Sequence, residues 1–214
     1  MLLLTSDGLS SPELKEEACK FLSGAGSAVM ITTAAAARKE KDWSVPRLTE
    51  ELYSLGLSVT YMDIELEDPS CLNQYDVIEL IGGNPYFLLH QLRRKNLKPV
   101  FHTLEKTKLI IGVSAGSLVL QEQFDLIGEY TPGLNRLTGL SDTAGMGLTD
   151  LEILPHYHRF LSRFDHFEER ARDYEQRRHK YVVRLSDGDG IVLHQGSVRL
   201  IRAQTQKRQE TYKR

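Results

Sequence analysis

Short apolar runs rich in β-branched residues recur along the first half of the chain, and each is typical of a buried strand. They occupy residues 28–32, 57–62, 77–81 and 109–113, and the apolar run at 1–4 opens the series. Segments with a helical spacing of apolar residues separate them, at 12–22, 46–55 and 85–92. This alternation predicts an α/β fold: a single doubly wound, mostly parallel sheet with helices on both faces. In such folds, sites gather at the carboxyl ends of the strands.

The three predicted helices share a start signal. Each begins with a serine or asparagine close before a proline, at Ser11, Ser44 and Asn84. Such a side chain can accept a hydrogen bond from the first turn, and proline fixes the first helical φ. We therefore expect all three side chains to act as N-caps.

The second half of the chain is less regular. A charged helix is predicted at 164–180, and its apolar stripe could face the core or a homodimer partner. Strands follow at 181–185 and 191–193, and 197–201 could close a hairpin with the latter. No repeat or linker divides the sequence, so we expect one domain over 1–214, with a polar tail after Ala203 that frays.

Composition narrows the function classes. The 214 residues carry 27 Lys and Arg against 29 Asp and Glu, a formal net charge of -2, so no overall field attracts nucleic acid or an anionic membrane. Cys19 and Cys71 match no metal or disulfide pattern. No apolar run approaches the roughly 20 residues that span a bilayer. These features predict a cytoplasmic protein.

The strongest chemical signal is a GxSxG pattern in Gly112-Val-Ser-Ala-Gly116, between a buried strand and an apolar helix. This context is that of a nucleophile elbow, which exposes the hydroxyl of Ser114 on a sharp turn. The backbone N–H of Ala115 would then face a developing oxyanion at the helix N-terminus. The alternative is a glycine-rich turn in which Ser114 only caps the helix.

A second glycine cluster, Ile81-Gly-Gly-Asn-Pro85, also follows a strand and precedes a helix. It should lie at the same sheet edge. Glycine permits a close backbone approach, so the N–H of Gly83 is a candidate second oxyanion donor. Asn84 can cap the following helix at the same time.

His156 is the preferred general base among seven histidines, because the apolar stretch before it could deliver it to the sheet edge. The competitors are His158, His166, His179 and His194. His156 and His158 form an HxH pair, but no third ligand has a persuasive spacing, so we expect no metal.

For the acid that orients the histidine, Asp187 lies in a turn directly after a predicted strand. Turn chemistry explains an aspartate there equally well. An α/β-hydrolase order would instead combine Ser114 with Asp165 or Asp187 and with His194.

Three separated motifs together resemble the peptidase E (aspartyl dipeptidase) family: Ile81-Gly-Gly-Asn-Pro85, Gly112-Val-Ser-Ala-Gly-Ser117 and Leu154-Pro-His-Tyr157. The resemblance implies a flavodoxin-like sheet related to class I glutamine amidotransferases. It also implies a serine nucleophile at Ser114, a base at His156, and oxyanion donors at Gly83 and Ala115. The third member is a looser match: Asp187 stands where the family has a glutamate. An alternative family position lies near Asp125 and Glu129.

The resemblance implies hydrolysis of short peptides, above all dipeptides with an N-terminal aspartate, with no cofactor. Asn84 and Arg159 are the candidate substrate contacts, and Arg163 is a weaker one. Two other hypotheses remain open. One is a non-catalytic α/β module that binds a small ligand, and the other is a serine esterase or acyl hydrolase of different specificity.

Overall fold

The computed structural model describes residues 1–22, 24 and 26–204, so the predicted polar tail lies outside the described residues except for Gln204. The centre of this region is a seven-stranded sheet in the order β3-β2-β4-β5-β1-β8-β9. Its strands are β1 (Leu2–Thr5), β2 (Gly26–Ile31), β3 (Leu57–Met62), β4 (Val77–Leu80), β5 (Leu109–Val113), β8 (Gly190–His194) and β9 (Ser197–Ile201).

The sheet is parallel from β3 to β1 and antiparallel from β1 to β9. The last two strands form the hairpin that the sequence predicts, with His194 opposite Ser197. The parallel strands all end at one edge, so the residues that follow β1, β4 and β5 come close together there. The predicted α/β class, with a mostly parallel sheet, is confirmed.

Helices cover both faces of the sheet. They are α1 (Pro12–Cys19), α2 (Val45–Tyr53), α3 (Pro85–Arg94), α4 (Lys98–Leu104), α5 (Ala115–Leu120), α6 (Asp125–Tyr130), α7 (Tyr157–Leu161) and α8 (Phe167–Arg178). Side chains alternate across β1: Leu3 packs with residues of α1 and α2, whereas Leu2 and Leu4 pack with residues of α3 to α6 and α8. Two apolar cores therefore enclose the sheet.

The apolar stripe on α8 belongs to one of these cores. Phe167, Ala171 and Tyr174 are buried, and Phe164, just before the helix, packs against the same cluster. The stripe is therefore explained by packing within the chain.

Two features differ from the sequence expectations. Strands β6 (Glu152–Leu154) and β7 (Val182–Arg184) form a separate two-stranded parallel sheet. The expected N-cap at Ser44 is wrong: its backbone N–H and its hydroxyl both donate to Oδ1 of Asp42, while Ser11 and Asn84 do cap their helices. Asp42 offers a charged acceptor two residues away, and this local turn replaces the cap.

A carboxyl group is buried inside the sheet. Glu79 of β4 has 0% exposure, and neither carboxyl oxygen has a hydrogen-bond partner among the described residues. Burial raises its pKa well above the usual range, and the nearby charge of Glu51 adds to that rise. The folded protein therefore favours the protonated form of Glu79 more strongly than the unfolded chain does.

None of the helices in the described part of the chain combines the length and the apolar character needed to cross a bilayer.

Candidate active site

Ser114 lies on a sharp turn between β5 and α5. Its backbone has φ 50° and ψ -107°, a conformation that L-residues rarely adopt. The flanking glycines are required by close contacts: a Cβ on Gly116 would lie 2.0 Å from the carbonyl oxygen of Leu80, and one on Gly112 would lie 2.6 Å from Cα of Ser117. The expected strand, strained turn and helix are all present.

The end of β1 anchors this turn. The carbonyl oxygen of Thr5 accepts hydrogen bonds from the backbone N–H of Ser114 at 3.1 Å and from the hydroxyl of Ser117 at 2.9 Å. The backbone N–H of Thr5 donates to that same hydroxyl at 3.0 Å. These buried bonds hold Ser114 at the carboxyl edge of the sheet.

His156 faces Ser114 from the segment after β6. Its Nε2 lies 2.9 Å from Oγ of Ser114, and its Nδ1 lies 2.6 Å from Oδ1 of Asp187. An ionised carboxylate can only accept, so Nδ1–H donates to Asp187. The lone pair of Nε2 then faces the hydroxyl of Ser114. This is the arrangement in which an imidazole can remove the hydroxyl proton.

Asp187 follows β7 and is held ionised by its neighbours. Burial acts to raise its pKa, but hydrogen bonds from His156 and Ser6 and the charges of His156 and Arg159 outweigh that effect. The pKa of Asp187 therefore falls below its usual value. Arg159 contributes through Nε, 3.0 Å from Oδ2, the oxygen that faces away from His156.

The alternative acids have other partners. Asp125 pairs with Arg178 and accepts from the hydroxyl of Thr143, and Glu129 pairs with Arg177 at 2.5 Å. Of the four acids considered as the orienting group, Asp125, Glu129, Asp165 and Asp187, Asp187 is the one that forms a hydrogen bond with His156.

The alternative histidines also lie elsewhere. His194 ends β8, which runs antiparallel to β1, so it lies at the opposite edge of the sheet from Ser114, with its ring 4.7 Å from that of Phe21. Nδ1 of His158 lies 2.5 Å from the hydroxyl of Ser186. Across the described residues, no group of three or more His, Cys, Asp or Glu side chains is arranged to hold a metal ion.

The two candidate oxyanion donors, Gly83 and Ala115, border the same cleft as Ser114. Gly83 has φ 138°, and a Cβ there would lie 2.3 Å from the carbonyl oxygen of Ala34, so this position requires glycine. Ala115 is the first residue of α5, whose leading N–H groups have no intrahelical acceptor. Both N–H groups are candidates to meet an oxyanion beside Ser114.

Asn84 has a clear structural role. Its Oδ1 accepts from the backbone N–H groups of Tyr86 and Phe87, and its Nδ2 donates to the carbonyl oxygen of Leu134 at 2.8 Å. The side chain thus caps α3 and ties it to the segment Pro132–Leu137. A contact between Asn84 and a substrate stays a prediction.

The cleft above Ser114 has a volume of about 710 Å³, within the range of small-molecule sites. Its apolar lining includes Leu118, Ile127, Leu134 and Phe160, and its charged lining includes Asp7, Asp42, Arg47, Arg159 and Arg163. Arg159 is paired with Asp187, whereas Arg163 lies over the ring of Phe164 at 5.4 Å and takes part in none of the ion pairs among the described residues. The cleft can therefore offer a guanidinium to an anionic group.

Sequence reasoning missed Ser6. This buried residue directly follows β1, and its hydroxyl lies 2.8 Å from Oδ1 of Asp187. The sequence Thr5-Ser-Asp-Gly8 is typical of an ordinary turn, and nothing local marks the serine as part of a site. The available signal was topological, because β1 was expected to end at the same edge as the other parallel strands.

Comparison with known proteins gives a family. The family model described as peptidase family S51 matches residues 2–201. An uncharacterized peptidase of Listeria monocytogenes serovar 1/2a is 30% identical over 137 residues, 62% of this chain and 66% of the relative. A peptidase E of Escherichia coli O6:K15:H31 is 30% identical over 122 residues, 55% of this chain and 53% of the relative. The matches thus span less than two thirds of these curated relatives' own length.

Solved structures agree in fold. A crystal structure from Listeria monocytogenes EGD-e, provisionally described as a peptidase E, aligns with a TM-score of 0.73 and 25% identity over 94% of this chain and 97% of that one. A peptidase from an acI-B1 Actinobacterium aligns with a TM-score of 0.66 and 16% identity over 94% of this chain and 86% of that one. The second similarity concerns the fold alone.

Proposed function

This chain belongs to peptidase family S51, and we propose that it is a serine peptidase that hydrolyses short peptides, with Ser114 as the nucleophile and His156 as the general base. The observation that carries the proposal is the continuous contact from Asp187 through His156 to Ser114, at 2.6 and 2.9 Å. A serine that only caps a helix does not need a histidine and a carboxylate aligned behind its hydroxyl.

In the proposed reaction, Nε2 of His156 takes the proton of Ser114 as Oγ forms a bond to the scissile carbonyl carbon. The resulting imidazolium is stabilised by Asp187 and gives the proton to the leaving amine as the C–N bond breaks. Water then attacks the acyl-enzyme, and His156 takes a proton from this water and returns it to Oγ of Ser114 as the ester bond breaks. This step regenerates Ser114 and releases the acid product.

The negative charge on the carbonyl oxygen would be met by the backbone N–H groups of Gly83 and Ala115. Backbone donors are already in place before the reaction, so they need no reorganisation as the charge develops. The dipole of α5 adds little, since the helix has only six residues, but it has the favourable sign.

We further propose that the substrates are dipeptides with an N-terminal aspartate, bound through the charged lining of the cleft. The support is the similarity to proteins described as peptidase E, together with the guanidinium groups of Arg159 and Arg163. Because Arg159 already pairs with Asp187, Arg163 is the better candidate to bind the substrate carboxylate.

Steady-state hydrolysis of Asp-Leu, Asn-Leu and Ala-Leu tests this proposal. We expect kcat/KM for Asp-Leu to exceed the others by at least about 100-fold, since a neutral side chain leaves a cationic site unmatched. Ser114→Ala should abolish turnover of all three. Equal values would remove the aspartate preference, and turnover of acyl esters but of no peptide would favour the esterase hypothesis.

Two arginine variants separate binding from catalysis. Arg163→Gln should raise KM for Asp-Leu and leave Ala-Leu nearly unchanged, whereas Arg159→Gln should lower kcat for every substrate because it contacts Asp187. If Arg163→Gln affects both substrates equally, the carboxylate is bound elsewhere.

A further inference from the structure

Ser6 forms several hydrogen bonds within the site, and the proposed reaction does not use this residue. Its side chain is completely buried between β1 and the segments that carry His156 and Asp187. Its backbone N–H donates to the carbonyl oxygen of Asp189 at 3.2 Å, which fixes the residue against the turn after β7. The hydroxyl therefore has a defined position.

Both hydrogen-bonding capacities of this hydroxyl are directed at the Asp187 and His156 pair. Oγ donates its proton to Oδ1 of Asp187 at 2.8 Å and accepts the backbone N–H of His156 at 2.8 Å. It also lies 3.4 Å from Nδ1 of His156. A hydroxyl has one proton, so the proton given to Asp187 and the lone pair given to His156 are complementary.

His156 needs such support because its backbone is left-handed, with φ 58°. Such a conformation in a non-glycine residue persists only where its surroundings enforce it. The bond from the backbone N–H of His156 to Ser6 ties the strained residue to the rigid end of β1. The bond from Ser6 to Asp187 fixes Oδ1, the same oxygen that accepts from Nδ1 of His156.

We propose that Ser6 is a positioning residue. It holds the Asp187 carboxylate and the His156 imidazole in the relative positions that proton transfer from Ser114 requires. This inference rests on the proposed function. Ser6 borders the cleft, but its hydroxyl bonds to Asp187 and His156 and forms no hydrogen bond with Ser114 among the described residues. Its effect on catalysis would pass through the bond between Nδ1 of His156 and Oδ1 of Asp187.

The test is Ser6→Ala, with Ser10→Ala as the matched control. Ser10 lies in the same segment, but it is exposed and its hydroxyl donates to Asp7. We expect Ser6→Ala to lower kcat by about 10- to 100-fold, the effect of losing a hydrogen bond to a charged group, with KM within about twofold. Ser6→Cys fills the site with a slightly larger side chain that is only a weak donor. If the alanine variant does not fold, the cysteine variant should show the loss of kcat in its place.

A spectroscopic readout separates positioning from a merely structural role. An imidazole N–H bound to a carboxylate gives a far-downfield proton resonance in NMR spectra, which His156→Ala identifies by its loss. In Ser6→Ala this resonance should broaden or disappear, and in Ser10→Ala it should stay. A Ser6→Ala protein with unchanged kcat, with a change in KM alone, or with an intact resonance would overturn the inference.

This readout does not depend on turnover. If the unmodified protein hydrolyses nothing, the proposed function fails, while the resonance still shows whether Ser6 orders the Asp187 and His156 pair.

Discussion

Ser114 and His156 both have positive φ angles, 50° and 58°, which non-glycine residues rarely adopt. Each such conformation costs a non-glycine residue on the order of 1–3 kcal/mol. At Ser114 the cost is offset by bonds to Thr5, and at His156 by the bond to Ser6. Ser114 and His156 are the two residues that would exchange the proton, and both have a strained backbone. This is typical of a site whose side-chain positions are fixed before the substrate binds.

The acid can be tested at the same scale. Asp187→Asn should lower kcat by up to about 10⁴-fold, because an amide can donate to Nδ1 and so favour the unproductive tautomer of His156. Asp125→Asn is the control, since Asp125 pairs with Arg178. Steady-state kinetics on both variants decides the matter, and a larger loss in Asp125→Asn would transfer the orienting role to the segment after α5.

Individual site residues differed in how far sequence could identify them. Ser114 could be identified from the sequence because its motif is local: the two glycines that the turn requires lie two residues before it and two residues after it. Asp187 and Asp125 could not be separated, because their distances from His156 depend on how β7 and α6 pack. Ser6 was invisible for the same reason: its partners lie 150 and 181 residues away.

At the scale of elements, the turn from β5 into α5 depends on how closely α5 approaches β4. A Cβ on Gly116 would lie 2.0 Å from the carbonyl oxygen of Leu80 and 2.9 Å from its Cβ. Because this carbonyl oxygen belongs to the backbone of a central strand, it cannot move aside without a large cost in energy. Glycine is therefore needed at position 116 so that α5 can pack closely against β4. The turn that exposes Ser114 depends on this close packing.

Gly116→Ala should accordingly destabilise the protein by at least about 1–3 kcal/mol, the usual cost of overpacking. A chain of this size should lose roughly 2–4 °C in Tm for each kcal/mol. Gly133→Ala is the control, because a Cβ there meets nothing within 4 Å. Thermal unfolding measures both, and equal Tm values for the two variants would show that this close approach is not needed.

Elements with a clear apolar pattern were predicted, whereas the short helices α6 and α7 were not. The runs at β3 and β5 match the predicted bounds because five or six apolar-rich residues between turns have few alternatives. Helices α6 and α7 have six and five residues, less than two turns, so no apolar period can be recognised. Pairing of β6 with β7 depends on tertiary contacts that no local pattern reveals.

At the scale of the whole molecule, two cores pack against the sheet, and the carboxyl group of Glu79 is buried there with no hydrogen-bond partner among the described residues. In the unfolded chain this carboxyl has an ordinary pKa, and in the folded chain burial raises that pKa. Between the two pKa values, folding therefore takes up a proton. The free energy of unfolding must fall as pH rises above the unfolded-state pKa of about 4.3, until the folded-state pKa is reached.

Glu79→Gln removes this proton uptake. The variant and the natural chain should differ little near pH 4.5, and the variant should gain about 1.4 kcal/mol in relative stability for each pH unit above that, over the same window. Urea unfolding at pH 5, 6, 7 and 8 measures the difference, with Glu16→Gln on the exposed face of α1 as the control. A difference that does not change with pH would show that Glu79 is ionised in the folded protein.

The central claim is that Ser114 is a nucleophile activated by His156, and covalent labelling with a fluorophosphonate tests it most directly. Mass spectrometry of the intact protein and of its peptides should show one adduct, located on Ser114. The adduct should be absent in Ser114→Ala and should form about 10²- to 10⁴-fold more slowly in His156→Ala, because general-base catalysis is lost. A folded protein that forms no adduct, or forms one on another serine, would contradict the account.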